Sequence, residues 1–304
     1  MNTALLLEMV GEAAPDRVVV GDRAKGITAA DLLARARRAA RLFRAAGVEH
    51  VGLVDLNSEA VPLCLFGAGL AGLPFAPVSY RLTDDRLDAI LRRLVPGVLI
   101  VGDEVAPRLR DIDGLQVLTR DELLAVTATD ADGADDSDDE LPFVDPDDIA
   151  VLLFTSGTTG DPKAAVLRHK HLTAYIIGSV EFLGADEDEA QLVSVPIYHI
   201  AGVSAILSSL YSGRRIVYLP TFEPDDWVRT VDAQAVTQAM VVPTMLGRVL
   251  QAMTDQGIDL AKEKSYGKAV VAILKACCID PGNPTMRPRW RFHFCFSLWR
   301  SRSA

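Results

Sequence analysis

Cysteine is scarce in this sequence of 304 residues, and its placement is uneven. Cys64 stands alone in an apolar stretch, whereas Cys277, Cys278 and Cys295 lie close together near the end of the chain. This is not the disulfide framework of a small secreted domain, so a reducing, cytoplasmic setting is predicted.

Long hydrophobic runs and basic leaders are also lacking. No apolar run is long enough to span a bilayer, so no transmembrane segment is predicted. Leu5–Leu7 follows no basic segment, and Glu8 and Glu12 come soon after it, which argues against a secretory signal. The chain is 49% hydrophobic and 24% charged, as is typical of a globular protein.

Positive charge is missing from a long stretch, with no Lys or Arg between Arg120 and Lys163. The formal net charge is −10, and the first 260 residues contain no clustered basic face, so nucleic acid is not a predicted partner. Much of the negative charge falls between Thr129 and Asp148. Its self-repulsion and polarity predict an acidic linker or surface loop at 129–146.

Short apolar segments alternate with helical patterns along the rest of the chain. Thr28 is predicted to cap a helix that Gly47 ends. The other predicted helices are 59–71, 84–94, 169–183, 203–210 and 243–252, and the predicted strands are 51–56, 73–78, 98–101, 149–154, 192–195, 216–219 and 236–242. Apolar strands without polar alternation, separated by helices, indicate parallel sheets covered on both faces.

The predicted fold is therefore α/β, with two doubly wound, mostly parallel sheets and helices on both faces. We divide the chain into a first half at 1–128, the acidic segment at 129–146, a second half at 147–264 and an atypical tail at 265–304. No internal repeat is found beyond the alternation itself.

One loop carries the strongest chemical signal. After a buried strand, Thr155-Ser-Gly-Thr-Thr-Gly160 supplies two glycines and four hydroxyls, and Lys163 follows closely. Such a loop can direct N–H groups, hydroxyls and one ammonium at a polyphosphate. It is not a Walker A loop, because Asp161 and Pro162 follow Gly160 where that motif requires lysine. The alternative is a surface turn that only links strand to helix.

The segment FTSGTTGDPKAAV at 154–166 resembles the phosphate-binding signature of the adenylate-forming superfamily, which includes acyl-CoA synthetases. Other segments agree in order: 57–71, 74–82 (PFAPVSYRL), 195–202 (VPIYHIAG) and 241–246 (VVPTML). The resemblance covers roughly 13–256. It implies most of the large N-terminal domain of an AMP-forming acyl-CoA synthetase, without the C-terminal subdomain.

The resemblance also implies roles for individual residues. The residues that would hold the ATP phosphates are Thr155, Ser156, Gly157, Thr158, Thr159, Gly160 and Lys163. Lys163 would neutralise the departing pyrophosphate, and Thr155 would contact Mg²⁺. On the acyl side, the implied residues are Tyr198, His199, Val242, Pro243 and Thr244. His199 and Lys163 would be the catalytic pair.

Two of these assignments have structural alternatives, and one residue departs from the family pattern. His199 can instead cap the helix that begins nearby, and Val242-Pro-Thr244 can simply end a strand and begin a helix. Ala164 stands where the family usually has glycine, which predicts altered phosphate contacts because alanine forbids some backbone angles.

The implied reaction forms an acyl-adenylate from a carboxylic acid and ATP, with fatty acids among the candidates, and then an acyl-CoA thioester from coenzyme A. The family's adenine loop, ribose-binding Thr-Gly-Asp and C-terminal lysine cannot be located, so little or no ligase activity is predicted for this chain alone.

The tail at 281–304 has five arginines and no acid, which suggests a shifted reading frame or a truncation after about Asp259. The other interpretations of the tail are an edge strand, a basic-aromatic segment that touches a membrane, and a zinc site. The competing function for the whole chain is a non-catalytic nucleotide- or acyl-binding module that acts with a partner or as a homodimer.

Overall fold

The structure is a computed structural model that describes residues 1–128, 141–155 and 163–258. The strands are β1 (Val18–Val20), β2 (Ile27–Thr28), β3 (His50–Val54), β4 (Phe75–Pro77), β5 (Gly97–Val101), β6 (Leu115–Thr119), β7 (Ile149–Thr155), β8 (Lys163–Arg168), β9 (Ala190–Val193), β10 (Arg215–Tyr218) and β11 (Gln238–Ala239). The helices are α1 (Ala4–Ala13), α2 (Ala29–Ala45), α3 (Ala60–Ala71), α4 (Asp84–Leu91), α5 (Arg120–Ala128), α6 (His169–Ser179), α7 (Ile200–Tyr211), α8 (Pro224–Ala233) and α9 (Pro243–Asp255).

The strands form two sheets. The large sheet has the order β6-β5-β3-β4-β7-β8, and the small sheet has the order β11-β9-β10-β1-β2. All neighbours run parallel except the pairs β7–β8 and β1–β2, which are antiparallel. The predicted α/β fold with two mostly parallel sheets and helices is confirmed.

The two sheets do not coincide with the two halves of the sequence. Strands β7 and β8 join the large sheet beside β4, and β1 joins the small sheet, where Val20 pairs with Ile216 of β10. An all-apolar strand such as Val18–Val20 can pair wherever its two faces are covered, whatever its distance along the chain. Each half of the chain therefore supplies strands to both sheets.

Helices α2 and α3 show why the sheets share one core. Thr28 caps α2 by accepting a hydrogen bond from the Asp31 N–H, as predicted. All twelve residues of α3 are buried, which explains its apolar composition on every side. One continuous cluster of buried side chains includes α2, α3 and strands of both sheets.

Several elements differ from the sequence prediction. Seven elements were not predicted from the sequence: α1, β1, β2, β6, α5, β8 and α8. Helix α6 ends at Ser179 rather than 183, and Leu183 has a left-handed backbone with φ of 49° that no helix can contain. The strand predicted at 236–242 pairs only over Gln238–Ala239.

Within the residues that the structure describes, no helix is long and apolar enough to cross a membrane. The atypical tail at 265–304 and most of the acidic segment at 129–146 lie outside the described residues.

Candidate active site at the carboxyl ends of the two sheets

Asn57 joins the carboxyl ends of the two sheets. It follows β3 of the large sheet and is 5% exposed. Its amide nitrogen lies 3.4 Å from the carbonyl oxygen of Val193, 3.2 Å from that of Val195 and 3.1 Å from that of Leu219. Val193 is the last residue of β9, whereas Val195 follows β9 and Leu219 follows β10, both strands of the small sheet. Ligands of open parallel sheets bind outside the carboxyl ends of the strands, so the edge around Asn57 is the expected location of a site.

The glycine- and hydroxyl-rich loop leaves the large sheet at this edge. Strands β7 and β8 form an antiparallel hairpin in which Thr155 pairs with Lys163 and Phe154 with Ala164. The loop therefore joins two strands, and the strand-to-helix link considered above is wrong. Lys163 is exposed and faces the end of β7 across the hairpin. Ser156, Gly157, Thr158, Thr159 and Gly160 lie outside the described residues.

Strand β8 also explains the alanine that replaces the family's usual glycine. Ala164 lies in the paired part of β8 and is not among the residues with positive φ. An extended strand is accessible to any L-residue, so the backbone at this position does not require glycine.

A tight turn between β9 and α7 presents Tyr198 and His199. The N–H of His199 donates to the Pro196 carbonyl oxygen at 3.2 Å, and the Gly202 N–H donates to the His199 carbonyl oxygen at 3.0 Å. A Cβ atom at Gly202 would lie 2.7 Å from Ile197 Cα, so glycine alone lets α7 approach the turn this closely. His199 is the residue before α7, but its side chain makes no capping hydrogen bond. His199 therefore occupies the N-cap position of α7, as the structural alternative predicts, but it caps the helix through its backbone carbonyl oxygen and not through its imidazole.

Tyr80 and Arg81, which belong to the 74–82 segment and have no predicted role, lie against this turn. The ring centroids of Tyr80 and Tyr198 are 5.9 Å apart, and those of Tyr198 and His199 are 4.7 Å apart. The Arg81 guanidinium lies over the Tyr80 ring, 5.5 Å from its centroid. The signal that pointed to Tyr80 and Arg81 was their place in the 74–82 segment, which follows β4 to the same edge.

The electrostatics of the turn favour a neutral imidazole. Although His199 is exposed to solvent overall, the neighbouring rings desolvate one side of it, and Arg81 adds a positive charge nearby. Partial burial first, and the Arg81 charge second, lower the pKa of His199 from its ordinary value. At neutral pH the side chain is therefore a polar, uncharged group.

Val242, Pro243 and Thr244 lie at the start of α9. Val242 precedes the helix with an extended backbone, and Pro243 occupies its first turn. The helix start of the structural alternative is confirmed, whereas the paired strand ends earlier, at Ala239, and the arrangement is compatible with a substrate-facing role. All three residues are exposed, and the pairing of β11 with β9 brings them to the same edge as Tyr198.

A cleft of about 740 Å³ has Asn57 in its lining. It lies between the loop after β3, α5 and α8, and none of the predicted site residues lines it. Arg120 on its wall pairs with Asp55 at 2.9 Å, and the carboxylate of Asp55 is fully buried. Burial raises the pKa of Asp55 despite the hydrogen bond from Ser58 and the charge of Arg120.

Comparisons with known proteins find relatives of this chain in sequence and in fold. A feruloyl-CoA synthase of Amycolatopsis sp is 32% identical over 275 residues, which cover 88% of this chain and 55% of that protein. A 2-succinylbenzoate–CoA ligase of Geobacillus sp. (strain WCH70) is 27% identical, covering 78% of this chain and 47% of the relative. The solved structure of a Mycobacterium tuberculosis fatty acyl CoA synthetase has the same fold, with a TM-score of 0.70 at 22% identity, over 85% of this chain and 52% of that one.

The chain spans about half the length of the curated relatives it matches. The family model described as AMP-binding enzyme matches residues 7–298. This match extends past residue 256, near which the resemblance of the sequence motifs ends. With this match over most of its length, and with the fold and the motif positions that it shares, the chain belongs to the AMP-binding enzyme family.

Proposed function

We propose that the chain is the nucleotide- and acid-binding part of an acyl-CoA synthetase. The observation that supports the proposal is the β7–β8 hairpin, whose described ends, Thr155 and Lys163, flank the glycine- and hydroxyl-rich loop at the edge where Tyr198 and His199 also lie. A phosphate-binding loop and an aromatic turn at one sheet edge suit a reaction between ATP and a carboxylic acid.

In the proposed first step, a carboxylate oxygen of the acid attacks the α-phosphorus of ATP. The bond to the β-phosphate oxygen breaks, and pyrophosphate leaves with the electron pair. Lys163 and the loop N–H groups stabilise the negative charge that develops on the leaving group. In the second step, the thiolate of coenzyme A attacks the acyl carbonyl carbon, and AMP leaves.

Tyr198 and His199 are proposed to border the acid. Since the imidazole of His199 is neutral at neutral pH, it contributes hydrogen bonding and shape rather than charge. Val242, Pro243 and Thr244 are proposed to bound the acid from the side of α9. The rings of Tyr80, Tyr198 and His199 suit a planar acid, and the two relatives reported above are named for ferulic and succinylbenzoic acids, both aromatic.

We propose Mg²⁺ as the ion that accompanies ATP, with Thr155 as its contact on the protein. Among the residues described by the structure, no three acidic, histidine or cysteine side chains converge to hold a metal ion. The described residues thus do not form a magnesium site of their own, and no step above depends on the ion. A cytoplasmic location and a homodimer remain part of the proposal.

The direct test is ATP binding measured by calorimetry. We expect Lys163→Gln to weaken the affinity by about tenfold or more, because a hydrogen bond to a charged group contributes about 1.5–3 kcal/mol. Lys170→Gln is the matched control, since Lys170 is an exposed lysine of α6 that pairs with Asp147. Equal affinities of the wild type and Lys163→Gln would refute the assignment of the loop.

A second assay separates the two candidate functions. Pyrophosphate release is measured with ATP and a panel of aromatic and fatty acids. Little or no release is expected from this chain alone, and acid-dependent release in a burst would overturn that expectation. ATP binding without release, together with a defined oligomer, would support the non-catalytic module.

A further inference from the structure

Tyr80 connects the two sheets at the candidate acyl site. It follows β4 of the large sheet, whereas Tyr198 lies in the turn that leaves β9 of the small sheet. The two rings meet edge to face, with an interplanar angle of 74°. The rings of Tyr198 and His199 also meet at a steep angle, 61°. The rings of Tyr80, Tyr198 and His199 thus contact one another in sequence, in the edge-to-face arrangement that aromatic pairs prefer.

Tyr80 is fixed from the large sheet. Its carbonyl oxygen accepts a hydrogen bond from Nη1 of Arg108 at 2.6 Å, and the same guanidinium donates to the Leu82 carbonyl oxygen at 2.5 Å and to Asp84 at 2.9 Å. The Tyr80 hydroxyl accepts from Nε of Arg81 at 3.3 Å. Both the backbone and the ring of Tyr80 are thereby held in place.

Tyr198, in contrast, has its backbone fixed but depends on its neighbours for the orientation of its ring. Gly202 packs against Ile197 and fixes the turn. The side chain of Tyr198 is half-buried, and the ring contacts found for it are with Tyr80 on one side and His199 on the other. The removal of the Tyr80 ring would open the first of these sides.

We propose that Tyr80 is a positioning residue of the acyl site. Its ring edge holds Tyr198, and through Tyr198 it holds the imidazole of His199, in the orientation that receives a planar acid. This inference rests on the proposed function, but it concerns a residue outside the glycine- and hydroxyl-rich loop and makes its own prediction about the three rings.

The first test uses NMR of the full chain and needs no activity. In the wild type we expect nuclear Overhauser contacts between the rings of Tyr80 and Tyr198 and between those of Tyr198 and His199. Tyr80→Leu keeps most of the volume and removes the ring, so the ring resonances of Tyr198 should shift and the pKa of His199 should rise towards its ordinary value as water reaches the imidazole. Tyr80→Phe keeps the ring and loses only the hydrogen bond from Arg81, so the Tyr198 resonances should shift less than in Tyr80→Leu. Phe143→Ala, which removes a ring that is 89% exposed, is the control and should change neither.

Two outcomes of this test would overturn the inference. One is a wild type that lacks the contact between Tyr80 and Tyr198, a measurement that does not depend on the folding of any variant. The other is a folded Tyr80→Leu variant with Tyr198 resonances and His199 titration identical to the wild type.

The second test measures the binding of an aromatic acid in the presence of ATP. An edge-to-face ring pair corresponds to a change of about 2- to 10-fold in an equilibrium constant, so Tyr80→Leu should weaken the binding of a planar acid by about that factor and affect a flexible fatty acid less. Equal weakening for both acids contradicts the inference. If no acid binds to the wild type, the proposed function fails for this chain, while the ring contacts still decide the role of Tyr80.

Discussion

His169 anchors the hairpin that carries the phosphate-binding loop to the N-terminal helix. It is the first residue of α6, directly after β8, and it is 1% exposed. Its Nδ1 accepts a hydrogen bond from the Thr3 N–H at 3.1 Å and lies 2.9 Å from the Thr3 hydroxyl. Because a backbone N–H can only donate, Nδ1 must be unprotonated, and the imidazole is neutral in the folded protein.

The cost of protonating this imidazole follows from its pKa. Burial lowers the pKa of His169 from its ordinary value of 6.5 to about 4. Above pH 6.5 the ring is neutral in both the folded and the unfolded chain, so its contribution to stability is fully present. As the pH falls from 6.5 to 4, the unfolded chain takes up the proton and the folded chain does not, so the free energy of unfolding decreases. The full effect is about 3 kcal/mol, and about 2 kcal/mol of it is expected by pH 5.

The assay is urea unfolding at pH 7.5 and pH 5.0. We expect the wild type to lose about 2 kcal/mol more than His169→Asn between these two conditions, because the variant keeps an acceptor near Thr3 but has no titrating group. Leu172→Ala, which removes a buried side chain from the same helix, should be less stable at both pH values and keep the full difference between them. Parallel losses in the wild type and His169→Asn would refute the reasoning.

Three further predictions concern the edge of the sheets. Asn57→Leu should lower the free energy of unfolding by about 2–5 kcal/mol, because the carbonyl oxygens of Val195 and Leu219 lose the Asn57 amide as a donor. Asn57→Asp should cost more at neutral pH, because a carboxylate then faces these oxygens; urea unfolding measures both. Gly202→Ala should cost about 1–3 kcal/mol and shift the resonances of Tyr198, since its Cβ would lie 2.7 Å from Ile197 Cα, and unchanged stability would contradict the packing. Arg81→Gln should raise the pKa of His199, measured by NMR titration, but leave it below its ordinary value, because burial lowers this pKa more than the Arg81 charge does. A rise to the ordinary value would show that the charge is the larger cause.

Elements with a strong local signal could be predicted from the sequence. Helix α2 has a capping threonine and a periodic apolar face, and α3 is apolar throughout because it is buried on all sides. Strand β8 escaped prediction because an edge strand needs no apolar alternation, and Ala165 and Val166 on it are exposed. Helix α8 begins with Pro and two acidic residues, so its apolar face, with Trp227 fully buried, is short and easily missed.

The glycine- and hydroxyl-rich loop and the turn with Tyr198 and His199 can be recognised as motifs in the sequence. The structure adds which of the described residues lie next to them. Local patterns predict that Asn57, Tyr80 and Tyr198 each follow a strand, and parallel strands place such residues at a carboxyl edge. They do not predict that the residue after β3 reaches carbonyl groups that are 136, 138 and 162 positions away in the sequence. That contact exists because the carboxyl end of β3 in the large sheet meets the carboxyl ends of β9 and β10 in the small sheet. A residue such as Tyr80, which meets its partner only across two sheets, therefore has no signal in the sequence beyond its place in the 74–82 segment.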